Sequence, residues 1–249
     1  MNIKFHYSYY ILAISFILCG YFSNLLIFTS IIIIHEIGHV LMAFLCGYKI
    51  NKITIYSYGG LVEINSKINS LNYKDFLVSI SGILFQIIYF IFIFYLCKIG
   101  YVREYIFNIF LLYNNSILFF NIIPIYPLDG SKTISSLLYY FLPYNFVNKV
   151  ILYLSFIILL LLFSYYQFNF SFIMIISILI YNLISYYKNI KYYFNRFLLE
   201  RYLYKFKFKK SKIIDDESFM FKNKYHVFNK NNDYLTEKQY LNRKFMNKK

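Results

Sequence analysis

The stretch Ile31-Ile32-Ile33-Ile34-His35-Glu36-Ile37-Gly38-His39-Val40-Leu41-Met42-Ala43 places a polar motif inside a run of apolar residues. Its pattern His-Glu-x-x-His sets two imidazoles four residues apart, and such residues lie on the same face of a helix. Both imidazoles can therefore reach one zinc ion, at about 2.0–2.1 Å. Glu36 lies beside them and can act as a general base without binding the metal. The motif predicts a catalytic metal site on a helix.

Composition decides the class of protein in which this motif lies. Of the 249 residues, 59% are hydrophobic and 24% are aromatic, whereas soluble domains contain about 45–50% apolar residues. High hydrophobicity excludes a disordered chain. Three cysteines and the absence of a collagen or heptad repeat exclude a disulfide scaffold and a fibrous protein. We therefore predict an all-α polytopic membrane protein.

Six apolar stretches have about the length of 17–25 residues that a helix needs to cross the bilayer. They are residues 5–22, 24–46, 76–97, 105–123, 149–165 and 169–187. Between the second and third, residues 53–56 and 61–64 have a β-like pattern, which predicts a short cytoplasmic hairpin. Near the C-terminus, residues 225–236 predict a strand, a turn and a strand, and residues 237–245 predict a short helix.

Charge divides the chain near residue 190. Residues 1–190 carry 10 Lys/Arg and 5 Asp/Glu, whereas residues 191–249 carry 16 and 6. We predict an intramembrane domain over residues 1–190 and a basic cytoplasmic tail over residues 191–249. With the N-terminus inside, only Lys98 and Arg103 fall outside, so the positive-inside rule places both termini in the cytoplasm. Basic residues beside a membrane contact anionic lipid, and we expect no nucleic-acid partner.

A catalytic zinc ion keeps three protein ligands and one open position, and two acids compete for the third place. Glu63 lies in the predicted hairpin, 24 residues after His39, and Asp129 lies 90 residues after it. Pro124 and Pro127 precede Asp129 and must break the fourth span near its inner end. Non-helical backbone at that depth is tolerated where it lines a cavity. Because the second and fourth spans run in the same direction, topology favours Asp129.

The motif His-Glu-x-x-His in one span and Asn121-x-x-Pro-x-x-Pro-Leu-Asp-Gly130 in a later one resemble the site-2 protease family of intramembrane zinc metalloproteases. The segments Gly59–Glu63, Tyr113–Asn121 and Arg196–Tyr202 are similar to the stage IV sporulation protein FB branch of that family. That branch processes the precursor of a mother-cell sigma factor in endospore formers. The resemblance covers about residues 1–205.

The resemblance implies an intramembrane metalloendopeptidase that holds one Zn²⁺ per chain. His35, His39 and Asp129 would be the zinc ligands and Glu36 the general base. Further candidates for contact with the substrate or the oxyanion are Gln86, Asn121, Gly59 and Gly60. The implied partners are a membrane-associated protein substrate, the sigma-factor precursor among them, the lipid bilayer and inhibitory membrane proteins. The implied location is the mother-cell membrane around the forespore.

The tail departs from the branch, whose members carry a CBS domain there. The residues after 205 form at most part of a CBS unit, so nucleotide binding is not transferred. Three other functions are compatible with parts of the sequence. A prenyl-protein type of membrane metalloprotease would use a Glu such as Glu63 as third ligand, and a non-catalytic membrane adaptor would not need Glu36. A proton pathway needs a chain of intramembrane carboxylates, for which only Glu36 and Asp129 serve.

Overall fold

The computed structural model describes residues 2–56, 59–65, 67–165, 170–208, 210–230 and 233–246. The helices are α1 (Tyr7–Leu18), α2 (Phe22–Leu45), α3 (Asn72–Ile99), α4 (Glu104–Ile122), α5 (Asp129–Leu138), α6 (Tyr144–Tyr165), α7 (Phe170–Leu203) and α8 (Glu237–Met246). The strands are β1 (Asn2–Phe5), β2 (Lys49–Tyr56), β3 (Gly59–Asn65), β4 (Ser211–Ile214), β5 (Tyr225–Lys230) and β6 (Asp233–Thr236). A short 3₁₀ helix covers Glu217–Phe219.

Within the described residues, five helices are long and apolar enough to cross a membrane, namely α2, α3, α4, α6 and α7. The first predicted span, residues 5–22, corresponds to the 12-residue helix α1. At 1.5 Å per residue α1 is about 18 Å long, which is short of the hydrocarbon thickness of about 30 Å. Gly20 ends this helix with a φ of 77°, while the amide of Tyr21 bonds back to the carbonyl of Phe16 at 2.8 Å.

Contacts between residues divide the chain into two compact units. The first contains residues 1–66 and 77–123. Its sheet has the order β1-β2-β3, with β1 parallel and β3 antiparallel to β2. The predicted hairpin is therefore confirmed as β2 and β3, and β1 is a third strand that the sequence patterns did not predict.

The second unit contains residues 67–76 and 124–249. The prolines end the fourth span as predicted, since α4 stops at Ile122 and no helix resumes before Asp129. Strands β4, β5 and β6 form a second sheet, with β4 parallel and β6 antiparallel to β5. The predicted strands and helix near the C-terminus are confirmed as β5, β6 and α8. The domain boundary near residue 190 stays a prediction.

The core of the second unit joins the end of α7 to this second sheet. Phe197, Leu198, Met220, Phe228 and Leu241 are buried in one hydrophobic cluster. Helix α7 runs without interruption from Phe170 to Leu203, so the last predicted span and the basic segment after it are one helix. The C-terminal residues are therefore a folded module, defined here as residues 211–246.

Candidate metal centre

Helix α2 presents two buried histidines to one point. His35 and His39 are 3% and 7% exposed, and they lie one helical turn apart, as residues four positions apart do. The Nε2 atoms of the two rings are 3.2 Å apart. The predicted convergence of the two imidazoles is therefore present.

The partners of the other two ring nitrogens fix the tautomers. Nδ1 of His39 lies 2.7 Å from the carbonyl oxygen of Val78, and Nδ1 of His35 lies 3.2 Å from Oε1 of Gln86. The amide of Gln86 cannot be reversed, because its Nε2 donates to the carbonyl oxygen of Asn114 at 2.8 Å. Carbonyl oxygens only accept, so each imidazole carries its proton on Nδ1.

This tautomer leaves both Nε2 lone pairs pointing at the same region. Two such nitrogens 3.2 Å apart are close enough to bind one cation together. An imidazole that donates its other N–H to a carbonyl or carboxylate is the form that binds metals. The histidine pair is therefore organised for a cation.

Asp129 completes a possible donor set. It is the first residue of α5 and is 6% exposed. One ligand atom from each of His35, His39 and Asp129 lies within 4.8 Å of the others. Two imidazole nitrogens and one carboxylate oxygen are ligands that zinc accepts while it keeps a fourth position open. Lys132, three residues on, donates to Oδ1 of Asp129 at 2.8 Å. The residues present fit a His-His-Asp metal site.

Two glycines allow the backbone to approach these side chains. A Cβ atom on Gly60, near the start of β3, would overlap the carboxyl group of Glu36. A Cβ atom on Gly82, in α3, would overlap the ring of His39 and lie 2.7 Å from Nε2 of His35. Both positions therefore require glycine for steric reasons. Glu36, which is 7% exposed, is enclosed beside β3.

The remaining predicted residues occupy different places. Gln86 is fully buried and orients His35, whereas its predicted contact with the oxyanion stays a prediction. Asn121 is half-buried in the last turn of α4, and Gly59 opens β3 with a φ of 146°. The side chain of Glu63 lies outside the described part of the chain. The predicted substrate contacts of Asn121, Gly59 and Gly60 remain untested.

Sequence reasoning missed two features of the centre. Gly82 was visible only as a small residue within the third span, and nothing local shows that it faces the histidines. The carbonyl groups of Val78 and Asn114 carry no signal in the sequence, because every residue has one. A small residue one helical turn before a buried Gln, as in Gly82 and Gln86, was the available hint.

The sequence of this chain is similar to those of several known proteins. Residues 23–102 match the profile described as Peptidase family M50. Over 206 residues the chain is 32% identical to stage IV sporulation protein FB of Bacillus subtilis (strain 168), covering 81% of this chain and 72% of the relative. Over 123 residues it is 28% identical to a Synechocystis sp. protein whose name describes a zinc metalloprotease, covering 48% of this chain and 32% of the relative.

Solved structures include one of similar fold. It is the site-2 protease from Methanocaldococcus jannaschii, with a TM-score of 0.59 and 18% identity. The match covers 74% of this chain and 91% of that chain. At this identity the likeness concerns the fold.

Proposed function

The chain belongs to peptidase family M50 and is a site-2-type intramembrane metalloprotease, and we propose that it holds one Zn²⁺ ion on His35, His39 and Asp129 and uses Glu36 as general base. It is an integral membrane protein whose substrate is a protein in the membrane. The observation that carries the proposal is the pair of Nε2 atoms 3.2 Å apart, each on a ring whose Nδ1 is engaged by a carbonyl oxygen.

The chemistry divides between the ion and the protein. When bound, zinc would polarise the scissile carbonyl and lower the pKa of a water molecule toward about 7. Glu36 accepts the proton of the attacking water and passes it to the leaving amine. Its enclosure beside Gly60 holds the carboxyl group in one place, so little reorganisation is needed before the proton moves. Gln86 and the carbonyl of Val78 keep the two rings in the metal-binding tautomer.

The sheet of the first unit offers a way to bind the substrate. A helical segment hides its carbonyl groups, so the substrate must unwind before hydrolysis. Strand β3 is the last strand of its sheet, and an edge strand can pair with an extended peptide. Gly60 lies on this strand in contact range of Glu36. A peptide added along β3 would therefore pass beside the general base.

The substrate we propose is the precursor of a sporulation sigma factor. Similarity to stage IV sporulation protein FB over 81% of this chain supports it. The same relationship supports inhibitory membrane partners and a place in the mother-cell membrane around the forespore. The charge distribution supports cytoplasmic N- and C-termini, so the prolines at the inner end of α4 and the metal ligands would face the mother-cell cytoplasm.

The test is cleavage in membranes with the metal counted. The sigma-factor precursor would be co-expressed with the wild type, with Glu36→Gln and with Asp129→Ala, and zinc measured in each purified protein. We expect cleavage by the wild type alone, with about one zinc per chain. Glu36→Gln should keep the zinc and lose activity by a factor of about 10²–10⁴, because the amide cannot accept a proton. Asp129→Ala should lose both.

Two outcomes would contradict the proposal in different ways. Zinc in the wild type without cleavage of the precursor would reject this substrate and leave the metal site standing. Absence of zinc from the purified wild type would reject the metal site itself.

A further inference from the structure

Residues 67–76, called here the connecting segment, follow β3 and include the first turn of α3, and both of these elements touch the candidate active site. Upstream, β3 carries Gly60, whose backbone lies against Glu36. Downstream, α3 carries Gly82, whose backbone lies against His35 and His39. Because the chain is continuous through the segment, the position of the segment constrains where β3 ends and where α3 begins. Neither glycine position tolerates an added methyl group, so small shifts there matter.

Asn69 fastens the middle of the connecting segment to the end of α7. Its side-chain Nδ2 donates to the carbonyl oxygen of Phe197 at 3.1 Å, and its backbone amide donates to Oε2 of Glu200 at 3.1 Å. Nε of Arg201 donates to Oδ1 of Asn69 at 2.6 Å. Asn69 is 5% exposed. Both ends of its amide are thus bound to one turn of a helix that lies more than 120 residues away in the sequence.

Asp75 fastens the end of the connecting segment to the C-terminal module. Its carboxylate forms an ion pair with Nζ of Lys222 and accepts from the hydroxyl of Ser70 at 2.8 Å. The side chain of Lys222 is 4% exposed and that of Asp75 is 28% exposed. A buried ammonium requires such a partner, because removing one member of a buried pair leaves an uncompensated charge.

Arg201 makes these two attachments part of one network. Besides Asn69, its guanidinium donates to the carbonyl oxygens of Phe221 and Lys222 at 2.6 and 2.9 Å. It also pairs with Oε1 of Glu237 at 3.3 Å. The turn that carries Lys222 is therefore held by the same arginine that holds Asn69. The folding of the C-terminal module and the position of the connecting segment are coupled through it.

We propose that the C-terminal module is a positioning element of the protease, with Arg201 and Lys222 as positioning residues that hold the connecting segment and, through it, the backbone at Gly60 and Gly82. This inference rests on the proposed function, since it concerns the same active site. It differs from a docking role for the tail. A docking surface contributes to substrate affinity and KM, whereas a positioning element contributes to kcat, because it aligns the reacting groups.

The experiment reverses the Asp75–Lys222 pair in the full-length protein. Asp75→Lys and Lys222→Glu each place like charges together, and the double variant restores an opposite pair in reversed order. We expect kcat to fall about tenfold or more in each single variant, with KM and zinc content unchanged, because misalignment remote from the chemistry can cost up to about 10²-fold. The double variant should recover most of the loss. Lys244→Met is the matched control, since it removes another ion pair of the module, that with Glu217, and kcat should stay at the wild-type value.

A second measurement needs no activity. Amide hydrogen exchange over residues 59–65 and 72–82 should accelerate in both single variants and return toward the wild-type rate in the double variant. Asp75→Asn adds a milder variant, which removes the charge of Asp75 without placing like charges together. We expect the same acceleration, in smaller degree. Amide exchange over residues 211–246 in the same samples shows whether the module itself stays folded.

Two results would overturn the inference. One is an amide exchange rate and a kcat that both equal the wild-type values in both single variants. The other is a raised KM with unchanged kcat, which would assign the module to substrate docking. If the wild type showed no cleavage at all, the proposed function would fail, and the exchange experiment would still decide whether the module holds the connecting segment.

Discussion

Two groups of buried polar side chains can be compared, namely the His35–His39 pair and the Arg201 cluster, which is Arg201 with the acceptors that it binds. They differ in the kinds of atoms that they bring together. Arg201 carries five N–H donors, and its nitrogens donate to five acceptors of Asn69, Phe221, Lys222, Lys224 and Glu237. The two histidines direct their Nδ1 atoms to carbonyl oxygens and their Nε2 atoms toward each other. The first cluster joins N–H donors to acceptors of the protein, whereas the second brings together two nitrogens of the kind that binds a metal ion.

The difference separates a structural polar cluster from a functional one. Burying polar groups costs free energy unless each finds a partner. The Arg201 cluster meets this requirement with groups from three distant segments, and so ties the fold together. The histidine pair instead places two nitrogen atoms 3.2 Å apart, each on a ring that can bind a metal ion. Burial and polarity alone would not distinguish the two clusters, but the kind of atom that converges in each cluster does.

The largest expected effect comes from filling the space beside the histidines. Gly82→Ala places a methyl group against Nε2 of His39 and His35, so metal binding and cleavage should both be lost. Zinc content and cleavage of the purified variant check this. Leu84→Ala, a change two residues further along α3 at an exposed position, should keep the metal. Full zinc content in Gly82→Ala would show that α3 can move away from His35 and His39. The steric argument for glycine at this position would then fail.

The next effect comes from breaking the satisfied cluster. Arg201→Met keeps an unbranched side chain but removes the guanidinium donor from Oε1 of Glu237 and from Oδ1 of Asn69, which should lower the free energy of unfolding of the module by about 3–5 kcal/mol. Denaturation in detergent, followed by protease susceptibility of residues 211–246, measures it. Lys244→Met breaks a partly exposed pair with Glu217 and should cost at most about 1 kcal/mol. An equal loss of unfolding free energy in the two variants would mean that the buried contacts of Arg201 stabilise the module no more than a partly exposed ion pair does.

The smallest effect is a dependence of stability on pH. Burial lowers the pKa of His226 below its ordinary value of 6.5, while its Nε2 accepts from the amide of Phe221 at 2.9 Å and its Nδ1 faces Glu237. Below pH 6.5 the unfolded module therefore binds the proton more readily than the folded one. Its free energy of unfolding should fall from pH 7 to pH 5, by at most about 1.4 kcal/mol per pH unit.

His226→Gln should flatten this profile between pH 5 and 7. Asp216 acts in a separate, more acidic range, because the hydroxyl of Ser218 lowers the pKa of its carboxyl below 3.8, and the stability it contributes is lost only as pH falls through that range. Thermal unfolding of the wild type and the His226→Gln variant across both ranges separates the two groups. A rise in stability on acidification would contradict the prediction and indicate a charged imidazole paired with Glu237.

Particular elements show how far sequence reasoning reached. The His-Glu-x-x-His motif, the prolines before Asp129, the hairpin, the last two strands and α8 follow from local patterns, and the structure contains each of them. The first span was predicted too long, because Gly20 ends α1 and residues 2–5 pair with β2. Strand β4 was missed, since its four residues Ser-Lys-Ile-Ile form a strand only by pairing with β5.

Local periodicity and residue chemistry are properties of short segments, so the sequence by itself determined the membrane class, the two imidazoles on one helical face and the carboxyl group of Glu36 beside them. Contacts between distant segments decided the rest. The tautomers depend on Gln86 and Val78, the space depends on Gly60 and Gly82, and the role of the tail depends on Arg201 meeting Asn69. Such pairs lie tens to more than a hundred residues apart, and burial gives their hydrogen bonds a strength and direction that no local pattern encodes.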